Sequence, residues 1–375
     1  MRGRGQEGAA HAGAVDGLAR LHSERMAARQ RVVDGVLMAG RFAPTPSGRM
    51  HLGNAFAMLA AWLSARSRHE PIYLRIEDID TPRVLPGADR MIMDDLTWLG
   101  LDWDGEPVYQ SARQAVYDAV FERLRSLDGD ALLYPCFCSR AEIRAASAPQ
   151  EGDGFLVYPG TCRRLRDEDR DEVERRLAAG RRHSWRLAVP GAQEPGAFVA
   201  FDDLVYGAQS FNVGRELGDV ILRRSDGLYA YQFVVTVDDL LMGVSDVVRG
   251  RDLLRSTALQ IWLRGQMLRT GLGSHNLPAA DPQYAHVPLL DNAAGVRLAK
   301  RERSLDLGRL REAGVRPDQV IGYCAWHMGL CEGVLERPEA MSAQQALNLF
   351  SWRKVRRHAG DVVVPGNIVE VLRAL

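Results

Sequence analysis

A short segment near residue 50 holds residue types that bind the phosphates of a nucleotide. It runs Arg41-Phe42-Ala43-Pro44-Thr45-Pro46-Ser47-Gly48-Arg49-Met50-His51-Leu52-Gly53-Asn54. The two prolines stiffen a turn, and the Ser-Gly pair allows backbone N–H groups to point inward. Unpaired amides at the start of the helix predicted to follow would add about half a positive charge here.

His51 and Gly53 fall at the entrance of that predicted helix. Phe56, Leu59 and Leu63 recur at helical spacing after it, which indicates a buried apolar face. Neither GxxxxGK followed by Ser or Thr nor GxGxxG occurs in this segment, so it is not the Lys-bearing phosphate loop or the dinucleotide fingerprint. The predicted geometry suits ATP.

Acidic side chains cluster where the second predicted strand ends. Glu77, Asp78 and Asp80 stand there, and open α/β sheets bind ligands at the carboxyl ends of their strands. Such a cluster is also typical of helix caps and surface faces. Arg41 and Arg249 are predicted to reach the same edge. Two guanidiniums and one carboxylate suit a small zwitterion, and paired guanidiniums suit carboxylates, so an acidic amino acid fits.

Three of the five cysteines, Cys136, Cys138 and Cys162, lie close together in the sequence. Three thiolates are common zinc ligands, but a structural zinc ion usually has four ligands, so a fourth is missing from this set. His183 is one candidate for the fourth position. Tyr158 would be an unusual ligand because a phenol must ionise, although the charge of a metal ion can drive that. The cluster favours a metal site over a disulfide framework.

Lysine is rare in this chain, since only Lys300 and Lys354 occur among 48 basic residues. Lys300 lies in Arg297-Leu298-Ala299-Lys300-Arg301, after a predicted strand at His286 to Leu290 and a turn. A lysine in a loop that contacts phosphates indicates a need for a compact ammonium group rather than the planar guanidinium group of arginine.

Hydrophobic periodicity predicts an α/β fold with a doubly wound parallel sheet. We expect a disordered extension over residues 1–38, the first half of the nucleotide-binding domain over 39–129 and a metal-bearing insertion over 130–214. The second half should follow over 215–303 and a helical region over 304–375. The apolar run Tyr229–Val237 is typical of a buried parallel strand. Asp238 and Asp239 would end this strand, and must therefore be solvated or bound.

Composition limits the class of protein. The chain has 375 residues, 46% of them apolar, and a formal net charge of zero, so contact with nucleic acid must use local basic patches. One such patch is Arg353, Lys354, Arg356 and Arg357. No apolar stretch approaches the 18 or so residues that span a bilayer. We expect a cytoplasmic, monomeric protein with no membrane partner.

Two segments together resemble the class I aminoacyl-tRNA synthetases. His51-Leu52-Gly53-Asn54 resembles the His-x-Gly-His signature, with Asn54 in place of the last His. Arg297–Arg301 resembles the Lys-Met-Ser-Lys-Ser signature in degenerate form, with Lys300 at the second lysine. Both occur in the family's order, and from Gly40 to about Met328 the chain is similar to the glutamyl-Q tRNA(Asp) synthetases, the short paralogues of bacterial glutamyl-tRNA synthetase.

The resemblance implies the site residues. The implied glutamate site is Arg41, Phe42, Ala43, Pro44, Thr45, Glu77, Tyr231 and Arg249. The implied ATP site is His51, Gly53, Asn54 and Lys300, of which His51 and Lys300 are the catalytic residues. The implied ligands of one structural zinc ion are Cys136, Cys138, Tyr158 and Cys162. Magnesium is expected with ATP.

The resemblance also implies the reaction. It is ATP-dependent activation of glutamate without tRNA, followed by transfer to the queuosine base in the anticodon loop of tRNA(Asp). The stretch after Arg301 is too short for the large anticodon-binding region of true glutamyl-tRNA synthetases, which agrees with that acceptor. Three alternatives stay open at this point: an ordinary synthetase that charges the tRNA 3′ end, a nucleotidylyltransferase of the related His-x-Gly-His type, and an inactive RNA-binding relic.

Overall fold

The computed structural model describes residues 32–33, 36–127, 132–146, 157–272, 281–291 and 306–375. Its strands are β1 (Val32–Val33), β2 (Val36–Leu37), β3 (Gly40–Phe42), β4 (Ile72–Ile76), β5 (Val108–Tyr109), β6 (Leu133–Cys136), β7 (Ser184–Leu187), β8 (Phe198–Asp203), β9 (Gly207–Asn212), β10 (Val220–Arg223), β11 (Asp246–Gly250), β12 (Gln283–Val287), β13 (Leu290–Asp291) and β14 (Val362–Val363). Its helices are α1 (Leu52–Ser67), α2 (Ala88–Trp98), α3 (Gln114–Ser126), α4 (Arg140–Ala146), α5 (Thr161–Glu168), α6 (Arg170–Ala178), α7 (Tyr231–Leu241), α8 (Leu254–Arg269), α9 (Leu307–Glu312), α10 (Pro317–His327), α11 (Ala343–Leu349), α12 (Trp352–Arg357) and α13 (Ile368–Arg373).

The central sheet has the strand order β5-β4-β3-β11-β12-β8-β9. All neighbours run parallel except β8 and β9, which form an antiparallel pair at one edge. The chain extends from β3 through β4 to β5 on one side, and later adds β11 and β12 on the other. The order reverses between β3 and β11, and such a point opens a crevice at the carboxyl ends of the strands. This confirms the predicted doubly wound α/β class.

Helix α1 fixes the crevice because it packs over β3 and β11. Phe56, Leu59 and Leu63 are buried in the main core, as their spacing predicts. The strand β4 is buried along its whole length and contributes Ile72, Leu74 and Ile76 to the same core. The carboxyl ends of β3, β4 and β11 are therefore held on a rigid support.

A second, antiparallel sheet of β10, β7 and β6 carries the cysteine cluster, since β6 ends at Cys136. Strand pairing crosses the domain boundary predicted at residue 214. The strands β8 and β9 precede that residue and belong to the central sheet, whereas β10 follows it and belongs to the small sheet. The predicted domain limits thus divide the chain in sequence order, but the two sheets each combine strands from both sides of a limit.

The strand predicted over Tyr229–Val237 is wrong, because this run belongs to helix α7 from Tyr231 onward. Every residue from Phe233 to Leu241 is buried, so the helix is apolar on nearly all sides. A continuous apolar run fits such a helix as well as a buried parallel strand, and periodicity cannot separate the two. Asp238 and Asp239 therefore lie inside a buried helix rather than at the end of a strand.

Both termini of the described chain add short elements. Within the predicted extension, β1 and β2 form a two-residue antiparallel pair, although no strand was expected there; the β-branched valines favour it. Residues 1–31 lie outside the described residues. The C-terminal part is mainly helical, as expected, and β14 pairs with β13. Among the described residues, no helix has the length and apolar character that a bilayer crossing needs.

Candidate active site and metal centre

His51 is the N-cap of α1, at the mouth of the crevice. Its Nδ1 accepts the backbone N–H of Asn54 at 3.3 Å, and Asn54 Oδ1 accepts the backbone N–H of His51 at 3.1 Å. This reciprocal pair is a capping box in which a histidine replaces the usual serine or threonine. Because Nδ1 is an acceptor, the proton of a neutral imidazole resides on Nε2.

Gly53 allows the imidazole to lie close to the helix. A Cβ built on Gly53 would lie 3.1 Å from His51 Cε1 and 3.2 Å from Nδ1. Such contacts are tighter than almost all real Cβ contacts, so any larger residue would displace the ring. Gly48 in the preceding turn adopts φ 133°, a conformation that favours glycine.

Ion pairs hold this turn in place. Arg49 Nη1 lies 2.6 Å from Asp95 Oδ1, and Asp95 Oδ2 accepts the backbone N–H of Met50 at 3.1 Å. The backbone of Asp306 bridges that of His51, and the N–H of Leu307 donates to the Met50 carbonyl. Lys300, with the rest of the segment 297–301, lies outside the described residues.

The charged residues predicted for the amino-acid site lie close together near the carboxyl ends of inner strands of the central sheet. Arg41 lies in β3, Glu77 directly follows β4 and Arg249 lies in β11; all three side chains are buried. The turn after β3 joins the next strand through the Glu77 N–H, which donates to the Pro44 carbonyl at 2.9 Å. Phe42 and Pro44 are buried, Ala43 is half-buried and Thr45 is exposed.

Tyr231 is the first residue of α7 and lies beside this cluster. The charges of Glu77, Arg249 and Arg41 all act on its hydroxyl, and burial together with Glu77 raises its pKa to about 12. The side chain is nevertheless 39% exposed, so the ring borders solvent while its hydroxyl faces the charged groups. Tyr231 therefore lies in a helix and not in the predicted strand, and its hydroxyl lies near the charges of the two arginines.

A buried arginine that the sequence analysis missed organises the site. Arg75 is fully buried in β4, and its guanidinium donates to Asp239 at 2.6 Å and to Glu77 at 3.1 Å. Asp239 also lies 3.5 Å from Arg41 Nε. Burial alone would raise the pKa of Asp239, but Arg75 and Arg41 outweigh it and hold that pKa below its usual value.

Asp238 lies 3.9 Å from Arg75 Nε and has further, structural partners. Its carboxylate accepts hydrogen bonds from Gln110, Tyr117 and Arg113 at 2.7–2.9 Å. The two adjacent aspartates of α7 are thus bound, as the sequence analysis required, but by buried side chains of the protein. A lone arginine inside the apolar strand Ile72-Tyr73-Leu74-Arg75-Ile76 was the signal that could have revealed the network.

The pair Arg41 and Arg249 has the electrostatics of an anion site. Burial, together with the like charges of Arg75 and Arg249, lowers the pKa of Arg41. Arg249 Nη1 is buried and has no hydrogen-bond partner among the described residues. Two buried guanidiniums in one crevice repel each other, and a carboxylate between them would relieve that repulsion.

The three cysteines of the predicted metal site do converge. The Sγ atoms of Cys136, Cys138 and Cys162 lie within 4.8 Å of one another. The Tyr158 hydroxyl lies 3.5 Å from Cys136 Sγ and 3.6 Å from Cys138 Sγ. The residues present therefore fit a tetrahedral metal ion with three sulfur ligands and one oxygen ligand.

The surroundings of this cluster favour anionic ligands. The guanidinium of Arg186 lies 3.7 Å from the centre of the Tyr158 ring. A hydrogen bond from Cys162, aided by Arg186, lowers the pKa of Cys136 to about 4. His183, the alternative fourth ligand, is not part of the cluster; its Nδ1 lies 3.0 Å from the carbonyl oxygen of Arg181.

Comparison with known proteins agrees with this geometry. Residues 38–357 match the family model of class I tRNA synthetases (E and Q), catalytic domain. The glutamyl-Q tRNA(Asp) synthetase of Nitratidesulfovibrio vulgaris is 44% identical over 80% of this chain and 89% of its own length. That of Symbiobacterium thermophilum is 40% identical over 90% of this chain and 98% of its own length. The chain belongs to the glutamyl-Q tRNA(Asp) synthetase family.

The fold of this class I synthetase also resembles solved structures. A glutamate tRNA ligase from Elizabethkingia meningosepticum, crystallised with its amino acid, superposes with a TM-score of 0.71 at 27% identity. The match covers 89% of this chain but only 68% of the ligase. The glutamyl-Q relatives are therefore both more similar in sequence and closer to this chain in extent.

Proposed function

We propose that this chain activates glutamate with ATP in the absence of tRNA and transfers it to the queuosine base in the anticodon loop of tRNA(Asp). The observation that carries the proposal is the convergence of Arg41, Arg249 and Glu77 in the crevice beside His51. That arrangement provides two cations and one anion for a small acidic zwitterion, next to a helix entrance suited to phosphates.

The amino acid would be held by charge complementarity. Arg41 and Arg249 bind carboxylate groups of glutamate, and Glu77 binds its ammonium group. Glutamine would bind more weakly because its neutral amide leaves a buried guanidinium without an anionic partner. Tyr231 lies at the solvent side of the pocket, where it would cover the bound substrate.

The chemistry needs positioning and charge stabilisation rather than a protein nucleophile. An oxygen of the glutamate α-carboxylate attacks the α-phosphorus of ATP, a new P–O bond forms, and pyrophosphate leaves with the electrons of the broken bond. The amides of α1 and the Nε2–H of His51 stabilise the developing charge on the phosphate oxygens. Magnesium, bound with ATP as part of the substrate, neutralises charge on the phosphates.

Lys300 is proposed to stabilise the leaving pyrophosphate. The other lysine of the chain is already committed, because Lys354 Nζ donates to the carbonyls of Leu330 at 2.8 Å and Leu349 at 3.3 Å. These two contacts hold Lys354 against the C-terminal helices within the predicted basic patch. Arg353 and Arg356 remain exposed candidates for phosphate contacts.

We further propose that the cysteine cluster holds one structural zinc ion. Cys136, Cys138, Cys162 and Tyr158 would be its ligands, and Arg186 would balance their negative charge. Zinc there would fix the small sheet of β6, β7 and β10, which borders α7 and the amino-acid site.

Glutamate-dependent exchange of pyrophosphate into ATP, measured without tRNA, tests the proposal. We expect exchange with glutamate and little with glutamine or aspartate. Arg249→Ala should weaken binding of glutamate by a factor equivalent to about 2–5 kcal/mol. Exchange that requires tRNA would favour an ordinary synthetase, and nucleotidyl transfer without an amino acid would favour a nucleotidylyltransferase. Absence of any ATP reaction would favour an RNA-binding relic.

A further inference from the structure

Three buried polar residues on adjacent parallel strands form a chain that ends at Arg249. Asp203 ends β8, His286 lies in β12 and Arg249 lies in β11, and these strands are neighbours in the sheet. Arg249 and His286 are direct register partners. All three side chains are almost completely inaccessible to solvent. Buried polar groups of this kind must be satisfied by one another.

The hydrogen bonds define the direction of this chain. His286 Nδ1 lies 2.7 Å from Asp203 Oδ2, and Arg249 Nε lies 3.2 Å from His286 Nε2. A carboxylate only accepts, so Nδ1 carries the proton; a guanidinium only donates, so Nε2 must be the acceptor. Both contacts therefore require one neutral tautomer of the imidazole. Burial lowers the pKa of His286 to about 4, which keeps the ring neutral.

Asp203 is itself fixed by the backbone. Its Oδ1 accepts the N–H groups of Val205 and Tyr206 at 3.0 and 2.9 Å, and its Oδ2 also accepts the N–H of His286 at 3.0 Å. Arg249 Nη2 donates to Thr257 Oγ1 at 2.7 Å, and this hydroxyl oxygen also lies 3.1 Å from His286 Nε2. Two of the three nitrogens of Arg249 are thus anchored, and Nη1 is the buried one that lacks a partner among the described residues.

We propose that Asp203 and His286 are positioning residues that orient the Arg249 guanidinium so that Nη1 is presented to a carboxylate of the amino-acid substrate. This inference rests on the proposed function, in which Arg249 binds glutamate. These hydrogen bonds fix the long side chain of Arg249 before the substrate binds, which reduces the conformational entropy lost on binding. Asp203 and His286 act through Arg249 and do not contact the substrate.

The test compares four proteins in the glutamate-dependent exchange assay without tRNA. His286→Phe keeps a ring but removes the acceptor for Arg249, whereas His286→Gln keeps an acceptor of similar reach. His327→Phe is the matched control, since His327 is a partly buried histidine that packs on Tyr323 in α10. Thermal unfolding of each variant verifies that it is folded.

We expect His286→Phe to raise the KM for glutamate about ten- to hundredfold, the effect of one lost hydrogen bond to a charged group, with the KM for ATP unchanged. His286→Gln should restore most of the affinity, and His327→Phe should match the parent. An unchanged KM for glutamate in folded His286→Phe, or equal changes in both KM values, would overturn the positioning role.

Nitrogen NMR of the parent, with the His286 signals assigned from the His286→Gln variant, tests the tautomer independently of activity. We expect a protonated Nδ1 and an unprotonated Nε2 at neutral pH. A protonated Nε2 would overturn the inference whether or not the enzyme uses glutamate. A parent protein that shows this tautomer but exchanges no pyrophosphate with glutamate would instead overturn the proposed function.

Discussion

At the scale of single residues, the amino-acid site depends on balanced buried charge. Arg75 connects Glu77 with Asp239, and Asp239 in turn lies beside Arg41. Breaking a buried ion pair from one side leaves an uncompensated charge, which costs more than the intact pair gains. Removal of one member should therefore destabilise the fold, and the network holds Arg41 and Glu77 in fixed positions relative to each other.

Arg75→Met tests this dual role. We expect it to lower the free energy of unfolding by about 3–5 kcal/mol, because Asp239 and Glu77 lose their buried cation. The same variant should also lose glutamate affinity, since Glu77 and Arg41 are no longer held. Denaturant unfolding and glutamate titration measure the two effects.

Arg90→Met is the control for Arg75→Met, because Arg90 is an exposed residue of α2. It should change stability by no more than about 0.5 kcal/mol. If Arg75→Met behaves like Arg90→Met in both measurements, the network has no organising role.

At the scale of secondary-structure elements, the start of α1 has an unusual cap for a helix, and in the proposed function this cap faces the phosphates of ATP. A serine with a glutamate three residues later would be a more usual N-terminal cap. His51 instead caps the helix through Nδ1, and Gly53 leaves room for the ring. The glycine lowers the helix propensity of α1, and in the proposed function this cost is offset by the placement of the imidazole beside ATP.

The variant Gly53→Ala separates the effect of the His51 ring position from the effect of helix propensity. The added methyl group must displace the His51 imidazole by a few tenths of an ångström, so exchange activity should fall several-fold or more. Thermal stability should stay equal or rise slightly, because alanine is the better helix former. Gly265→Ala in α8 is the matched control, since its Cβ would meet nothing within 4 Å. That variant should gain about 0.5–1 kcal/mol of stability with full activity.

If Gly53→Ala is as active as Gly265→Ala, the position of the His51 ring does not matter for the reaction.

The small antiparallel sheet carries the cysteine cluster for which a zinc ion is proposed. We expect about one zinc ion per chain in the purified protein and a large loss of zinc in Cys138→Ala. Cys324→Ala is the control, because Cys324 is buried in the main core away from the cluster. Elemental analysis of folded protein measures both. Equal zinc contents in the two variants would contradict the proposed ligand set.

At the scale of the whole molecule, the sheet order explains why residues distant in sequence form one site. Arg41 lies in β3 and Arg249 in β11, and Glu77 directly follows β4; the carboxyl ends of these strands lie at or next to the point where the strand order reverses. The relatives that match most of this chain carry the name glutamyl-Q tRNA(Asp) synthetase. We therefore expect the same catalytic domain to activate glutamate and to transfer it to tRNA.

The parts of this architecture that leave a local pattern were predictable from sequence. The His51 turn, the helical spacing of α1 and the cysteine cluster all depend on neighbours in the chain. The helix α7 was not predictable, because a run that is apolar on every side has no period. Arg75 and His286 were overlooked because a lone polar residue in a strand gains its meaning only from partners on other strands.

The most direct test of the account is the identity of the acceptor. Labelled glutamate is incubated with the enzyme, ATP and tRNA(Asp) that carries or lacks queuosine, and the queuosine diol is destroyed by periodate in a parallel sample. We expect label on intact queuosine-bearing tRNA(Asp) only, located in the anticodon loop after nuclease cleavage. Label on the 3′ end of tRNA(Glu), or equal labelling of tRNA that lacks queuosine, would contradict it.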